Sequence, residues 1–376
     1  MILKAHTFEL AGESYEIGRQ IGEAVLNRPC SKTFHLNDPG IVGGFDAKEF
    51  QKALALFEQW CPGLNEELQG FADTLKAPAH KLAYYGMTYL RPRPRCSQIA
   101  LNSSMTQCGH PLLARNYEFS HEAEDFCLVK TITDNKYAHM GTSVMLFGRD
   151  DGLNEHGLAV TMSSCGFPVG PLPYMRAPQL AGLQFWAVIR AVLENCKDVN
   201  EALAYIEHMP IAYNLNMMLV DKTGHIALVG TLDGHMAVKI LDNESAPSYL
   251  HATNHPVHQD LIPFEPKAMR HSLVRYDWIR NTIGSSMVTR DDLKTMLLAE
   301  FPRGLCCHYF NDFFGTTKSM VIDPVCGIID LCWGGNSRNG WREYCLEEQL
   351  QPSVSEIEIS FERFNPQMAE YIPIKS

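Results

Sequence analysis

Apolar positions follow two rhythms along the chain, and the change comes at residue 96. In residues 12–25, Tyr15, Ile17, Ile21 and Val25 recur at near-helical spacing and predict a helix. Residues 47–75 continue as a longer helical stretch, broken at Cys61-Pro62-Gly63. The run Arg91-Pro92-Arg93-Pro94-Arg95 cannot be helical, since each proline lacks a donor and restricts the residue before it. It is the best internal boundary in the chain. Beyond it come short apolar runs at 99–101, 112–115, 127–132, 142–147 and 158–162, which read as strands. The last follows the turn Asn154-Glu155-His156-Gly157.

A helical block spans 178–194 and 199–208, with Asp198 and Glu201 forming a D-x-x-E start signal for its second helix. Strands resume at 216–220 and 226–229. A hairpin-like pair follows at 237–240 and 248–251, then helices at 269–282 and 290–300. Two further strands, 319–322 and 327–332, flank the turn at Asp323-Pro324. Antiparallel strands alternating with helix pairs predict an α/β (α+β) fold with sheets sandwiched by helices, a four-layer arrangement of two mainly antiparallel sheets. No repeat or low-complexity segment interrupts it.

Composition sets outer limits. The 376 residues include 32 Lys+Arg against 43 Asp+Glu, a net charge of −11, which argues against nucleic acid or an anionic membrane as the main partner. A hydrophobic content of 45% is ample for a core. The first residues lack the apolar core of a signal peptide, and the longest apolar run, 183–192, is cut by Gln184 and Arg190, so no membrane insertion is expected. The 12 cysteines include no CxxC pair and are expected to be reduced thiols in a cytoplasmic protein.

Candidate chemistry starts at Cys96. It opens a short strand directly after the Pro/Arg segment, where the chain could be cut and where nearby cations favour thiolate. A polar turn follows, and a second strand ends in Arg115-Asn116-Tyr117-Glu118. A nucleophile opening one strand, with a cation and a carboxylate closing the next, is the layout of an N-terminal-nucleophile hydrolase, in which the freed α-amine serves as base. Cys96 also reads as a buried strand cysteine, and Arg115 with Glu118 as a surface pair. Asn214 and Asn216 lie at strand spacing with both amides on one side, a common source of an oxyanion donor, or are plain turn asparagines. Thr253-Asn254-His255 is a turn or the rim of a pocket. His251, His255 and His258 fail as a metal set, because Pro256 denies them a helix and no further ligand completes them, so neither metal nor cofactor is expected. Cys307 and His308 are sequence neighbours that point opposite ways on a strand.

Taken together, these residues resemble the acyl-coenzyme A:6-aminopenicillanic acid acyltransferase family of autoproteolytic cysteine N-terminal-nucleophile hydrolases, more distantly similar to choloylglycine hydrolases. The stretches that carry the resemblance are Glu13-Ser14-Tyr15-Glu16-Ile17-Gly18-Arg19-Gln20-Ile21-Gly22, Cys96-Ser97 with Leu113-Ala114-Arg115-Asn116-Tyr117-Glu118, and Gly152-Leu153-Asn154-Glu155-His156-Gly157-Leu158. Asn216-Met217-Met218-Leu219-Val220-Asp221, Thr253-Asn254-His255 and Thr317-Lys318-Ser319 follow in the family's order. The resemblance implies an αββα fold and cleavage between Arg95 and Cys96. Residues 1–95 would then be a helical leader, retained as an α-subunit, and 96–376 the catalytic β-subunit. It implies Cys96 as nucleophile, Arg115 orienting the thiol, Glu118 near the α-amine, and Asn216 as oxyanion donor with Asn214 as fallback. Tyr117, Ser164 and Asn254 would line the substrate pocket. The chain departs from the family pattern at Arg95, where glycine is usual, at Glu118 for aspartate, and at Gly230 for glutamate. Ser163 and Ser164 replace the asparagine region of bile salt hydrolases, which disfavours bile acids.

The expected activity is hydrolysis of a non-peptide linear amide, an N-acyl amino acid or related small N-acyl compound. The alternatives are acyl transfer from a thioester such as acyl-coenzyme A to an amine, and an unprocessed, non-catalytic relative that binds a small ligand. Pocket side chains are expected from 119–126, 167–175 and 306–314. The sequence leaves open whether the protein forms a homo-oligomer.

Overall fold

The computed structural model describes residues 1–26, 35–36, 47–86, 95–167, 176–177, 179–241, 248–284, 287–312 and 314–374. Most of the Pro/Arg boundary and most of the 167–175 pocket segment therefore lie outside the described residues. The strands are β1 (Ile2–Gly12), β2 (Arg95–Leu101), β3 (Leu112–Phe119), β4 (Cys127–Thr133), β5 (His139–Val144), β6 (Gly148–Arg149), β7 (Asp151–Asn154), β8 (Leu158–Ser164), β9 (Leu215–Asp221), β10 (Ile226–Leu232), β11 (His235–Leu241), β12 (Tyr249–Ala252), β13 (Lys267–Met269), β14 (Gly315–Asp323), β15 (Ile328–Trp333), β16 (Arg342–Cys345), β17 (Ser353–Glu358) and β18 (Tyr371–Pro373). The α-helices are α1 (Ser14–Leu26), α2 (Ala47–Trp60), α3 (Leu64–Leu75), α4 (Phe185–Asn195), α5 (Val199–Ile206), α6 (Arg270–Thr282) and α7 (Arg290–Leu298).

Two large sheets form the centre. One has ten strands, in the order β11-β10-β9-β8-β7-β5-β4-β1-β17 with β6 beside β5; the other has six, in the order β12-β2-β3-β14-β15-β16. Strand alternation sorts their side chains into layers. On β2, Ala100 joins Leu128, Met140, Ala159 and Met218 in the layer between the sheets. Its neighbours Ile99 and Leu101 pack outward with Ile279 of α6 and Leu293 and Leu297 of α7. On β8, Leu158, Val160 and Met162 face the other way and bury against Ile17 and Ile21 of α1, Phe71 of α3 and Trp186 of α4. Helices, sheet, sheet and helices thus stack as the predicted αββα sandwich. Of the ladders among the described residues, β1–β4 is parallel and the rest antiparallel. No described helix is long and apolar enough to cross a membrane.

Glycines in the first motif have a packing reason. A Cβ on Gly18 would sit 1.8 Å from the carbonyl oxygen of Glu67, and one on Gly70 2.1 Å from that of Tyr15. Only glycine lets α1 and α3 approach this closely.

Three sequence expectations change. Residues 1–95 are not purely helical: β1 lies inside the ten-stranded sheet, parallel to β4 and antiparallel to β17. The runs at 237–240 and 248–251 do not form a hairpin. The first belongs to β11, at one edge of the large sheet, and the second to β12, which pairs with β2 in the other sheet. Helix α4 starts at Phe185 rather than near 178, because Gln184 is extended and Leu183 forms a bridge with Ile211.

Candidate active site

Cys96 lies near the start of β2, opposite Tyr117 of β3, and is fully buried. Even-numbered positions of β2 face the other sheet, so Cys96 Sγ and Gln98 point into the layer between the sheets, whereas Ser97 points toward α6. The Gln98 amide fastens the two sheets beside the thiol: its Nε2 donates to Asn216 O at 2.8 Å and Ser163 Oγ at 3.1 Å, and its Oε1 accepts from Thr161 at 2.7 Å.

On β3 the same alternation places Arg115 and Tyr117 in the inter-sheet layer and Glu118 on the helix side. Arg115 Nη2 lies 3.8 Å from Cys96 Sγ. Its Nη1 is anchored on Asp151 Oδ2 at 2.7 Å and on Asp150 O at 2.8 Å. Those aspartates open the Gly152-Leu153-Asn154 hairpin. The Tyr117 ring lies between two cations, 4.4 Å from the Arg115 guanidinium and 4.5 Å from Lys318 Nζ. Lys318 in turn bonds Asp150 Oδ1 at 3.2 Å. Burial pushes the Cys96 thiol up to about 12, with Arg115 pulling against it.

Asn254 meets the backbone of Cys96. Its Oδ1 accepts from Cys96 N at 2.8 Å, and its Nδ2 donates to Ser164 Oγ at 3.0 Å and Ser164 O at 3.2 Å. Three of the expected residues, Cys96, Asn254 and Ser164, thus form one connected chain. Asn216 and Asn214 are committed elsewhere. Both amide hydrogens of Asn216 go to carbonyls, Thr253 O and His255 O, each at 3.0 Å, so it shapes the loop that presents Asn254. The Asn214 amide is tied to Asp233, donating to its Oδ1 at 3.2 Å and accepting from its backbone N at 2.8 Å.

A residue that the sequence did not single out links the remaining parts. Arg275 of α6 is fully buried; its Nη1 donates to Cys96 O at 2.7 Å and Ser97 Oγ at 2.8 Å, and its Nη2 to Asn254 Oδ1 at 2.8 Å. It also pairs with Glu118 Oε2 at 3.4 Å. The Glu118 carboxyl, which also accepts from Thr316 at 3.3 Å, is raised by burial to about 7 despite Arg275. The backbone of Arg95, on the other side of the expected cleavage bond, pairs with Glu118. Arg275 could have been noticed from its helix face: His271, Ser272 and Ile279, at i−4, i−3 and i+4, are the buried side of α6. A second missed group is Tyr213. It is buried in the same cluster as Cys96, its ring 5.0 Å from that of Phe185, and its hydroxyl has no hydrogen-bond partner among the described residues. Residues 306–308 form no strand, only a bridge at Cys306; Cys307 faces His271, with Sγ 3.3 Å from Nε2, and Cys306 Sγ lies 3.6 Å from His308 Nε2.

A sequence model of the family described as acyl-coenzyme A:6-aminopenicillanic acid acyl-transferase matches residues 105–338. That covers more than half of the chain, and the protein belongs to this family. It is accordingly an enzyme of the N-terminal-nucleophile type that acts on amide bonds, as a hydrolase or acyltransferase. No curated protein matches the chain. Among solved structures, it is similar to a conjugated bile acid hydrolase from Clostridium perfringens, at 14% identity and a TM-score of 0.45 over 72% of this chain and 100% of that one. It is also similar to penicillin V acylase from Agrobacterium tumefaciens, at 17% identity and a TM-score of 0.38, over 63% of this chain and 83% of that one. A Caenorhabditis elegans orthologue of N-acylethanolamine-hydrolyzing acid amidase matches at 13% identity and a TM-score of 0.41, over 61% and 93%.

Proposed function

We propose that the protein is a self-activating amidase that cleaves a small, linear N-acyl compound through an acyl-enzyme on Cys96. The observation that carries this reading is the contact of Asn254 Oδ1 with Cys96 N at 2.8 Å, beside a sulfur 3.8 Å from Arg115. The β12 ladder stops at Gln98, so a side chain rather than a strand holds the nitrogen that would become the catalytic amine.

In maturation, Cys96 Sγ attacks the carbonyl of Arg95, the acyl group moves from nitrogen to sulfur, and water releases residues 1–95 as a carboxylate. The freed α-amine keeps its place on Asn254 and takes the thiol proton in each later turnover. An amine with an ordinary pKa near ~8 is suited to this exchange at neutral pH. Arg115 supports the thiolate. The substrate carbonyl then acylates sulfur, the amine product departs with the proton, and water completes the hydrolysis. We assign the oxyanion to Asn254 Nδ2, beside the Cys96 nitrogen, which would exchange its two contacts with Ser164 for the substrate oxygen, helped by the phenol of Tyr213. Tyr117 and Ser164 border the acyl group. No disulfide joins two cysteines among the described residues, which fits a reducing, cytoplasmic setting.

Denaturing intact-mass measurement of wild type and Cys96→Ala tests maturation. Two fragments meeting at residues 95 and 96 in wild type, one 42.3 kDa chain in the variant, and turnover of N-acyl amides by wild type only, are expected. Turnover by Cys96→Ala would sink the proposal. The family's own description favours acyl transfer as the second reading. Adding an amine acceptor distinguishes the two, since a transferase forms a new amide in place of the free acid.

A further inference from the structure

At the far end of the β2–β3 hairpin, a second cluster of reactive side chains lies outside the catalytic chemistry. The β2–β3 turn carries Cys108 and His110. Because β3 and β14 run antiparallel, with Leu113 opposite Ile322, the β14–β15 turn emerges beside it and brings Asp323 and Cys326. His110 Nδ1 lies 3.1 Å from Asp323 Oδ2, and Cys326 Sγ lies 3.7 Å from His110 Nδ1. One ligand atom each from Cys108, His110 and Asp323 falls within 4.8 Å of the others.

We propose that Cys108, His110, Asp323 and Cys326 form a zinc site that staples the two turns together. A tetrahedral zinc with bonds of about 2.3 Å to sulfur and about 2.0–2.1 Å to nitrogen or oxygen has N···O edges of about 3.3 Å and S···N edges of about 3.6 Å. The observed separations of 3.1 and 3.7 Å match two of those edges; Cys326 lies outside the mutual grouping of Cys108, His110 and Asp323, so its exposed side chain turns to complete the set. Two thiolates, an imidazole and a carboxylate form a borderline-soft set that suits Zn²⁺ and disfavours Mg²⁺ or Ca²⁺. A simple His110–Asp323 ion pair would account for the first distance but not for two thiols from separate turns. The Asp323 carboxylate is already oriented as a ligand would be. It is buried, and its Oδ1 accepts from the backbone nitrogens of Val325 and Cys326, both at 3.0 Å, which leaves Oδ2 on the His110 side. Cys108 and Cys326 are exposed, so the metal can enter from solvent.

The site lies a full strand away from Cys96, about 20 Å at the usual rise per residue. Its role is therefore structural. It ties the ends of two hairpins whose strands β2, β3 and β14 carry Cys96, Arg115, Glu118 and Lys318.

Cobalt reports the geometry directly. Full-length protein, stripped with a chelator under reducing conditions, is titrated with Co²⁺. One equivalent should bring up the visible bands of tetrahedral cobalt with thiolate charge transfer, and Zn²⁺ should displace them. His110→Ala and Cys108→Ser, both at accessible turn positions, should each weaken Zn²⁺ binding by at least about 100-fold, since even outer partners of a metal ligand are worth 10–100-fold. Cys96→Ala should bind as wild type does. Absence of the bands, or bands unchanged in both turn variants, would overturn the proposal. So would a Cys108–Cys326 disulfide in a non-reducing peptide map of the protein as purified.

Discussion

Arg275 Nη1 lies 2.7 Å from the carbonyl oxygen of Cys96, so a helix far along the chain grips the peptide unit that follows this cysteine. The same guanidinium touches Asn254 and Glu118, and the backbone of Glu118 pairs with Arg95 across the expected cleavage bond. Arg275→Ala would leave Glu118 buried without its partner and should cost about 3–5 kcal/mol in stability. Arg275→Lys keeps the charge but loses the planar fork. We expect it to fold and to mature slowly, as read by the fraction of cut chain over time on a denaturing gel. Maturation at the wild-type rate would show that the fork is only structural.

Glu118 sets a pH dependence whose sign follows from its burial. Its carboxyl is raised to about 7 in the folded chain. Between the ordinary carboxyl value and about 7, the folded state holds a proton that the unfolded state has released. Stability therefore falls as pH rises through that window and levels off above it. Glu118→Gln removes this contribution, so the difference between the two proteins should change by about 3 kcal/mol from pH 4 to pH 8, an order-of-magnitude figure. Urea unfolding at those two pH values checks it; parallel profiles would contradict the assignment.

Tyr213→Phe separates stability from turnover. The phenol is buried with no hydrogen-bond partner among the described residues, so its removal should leave Tm unchanged or raise stability by about 1 kcal/mol. If the phenol donates to the acyl oxygen, kcat should fall by about 10²-fold with little change in KM. Wild-type kcat would remove Tyr213 from the site.

The leader should remain bound after cleavage. Strand β1 is hydrogen-bonded on both edges, and Glu67 of α3 is joined to Arg190 of α4 at 2.5 Å, both side chains buried. On a sizing column without denaturant, both fragments should elute together. A β-fragment eluting alone would contradict this.

The helices were legible because their signals are local. The break at Cys61-Pro62-Gly63 separates α2 from α3, with Gly63 at φ 83°, and Asp198 caps α5 by accepting from Glu201 N at 2.9 Å. The Asp323-Pro324 turn likewise joins β14 to β15. Pairing across hundreds of residues leaves no such mark: nothing in residues 2–12 says that they join β4 and β17, and the runs at 237–240 and 248–251 look like neighbours until the sheets separate them. At the site, Cys96 and Arg115 stood out from their place on strands. Arg275 did not, because α6 is polar enough around most of its circumference to look like a surface helix, and its burial is set by what packs on it. Asn216 showed the right amide at the right spacing, but which hydrogen bonds it spends is a property of the loop at 253–255.

Strand β1 finds its neighbours at residues 127–133 and 353–358. On the ribosome, β1 waits on the order of tens of seconds for its second partner to be synthesised. A shortened chain that stops before residue 353 leaves that edge bare and the large sheet unfinished. Closure of the sheet thus acts as a check on length: only a polypeptide translated through residue 358 can assemble the complete scaffold around Cys96.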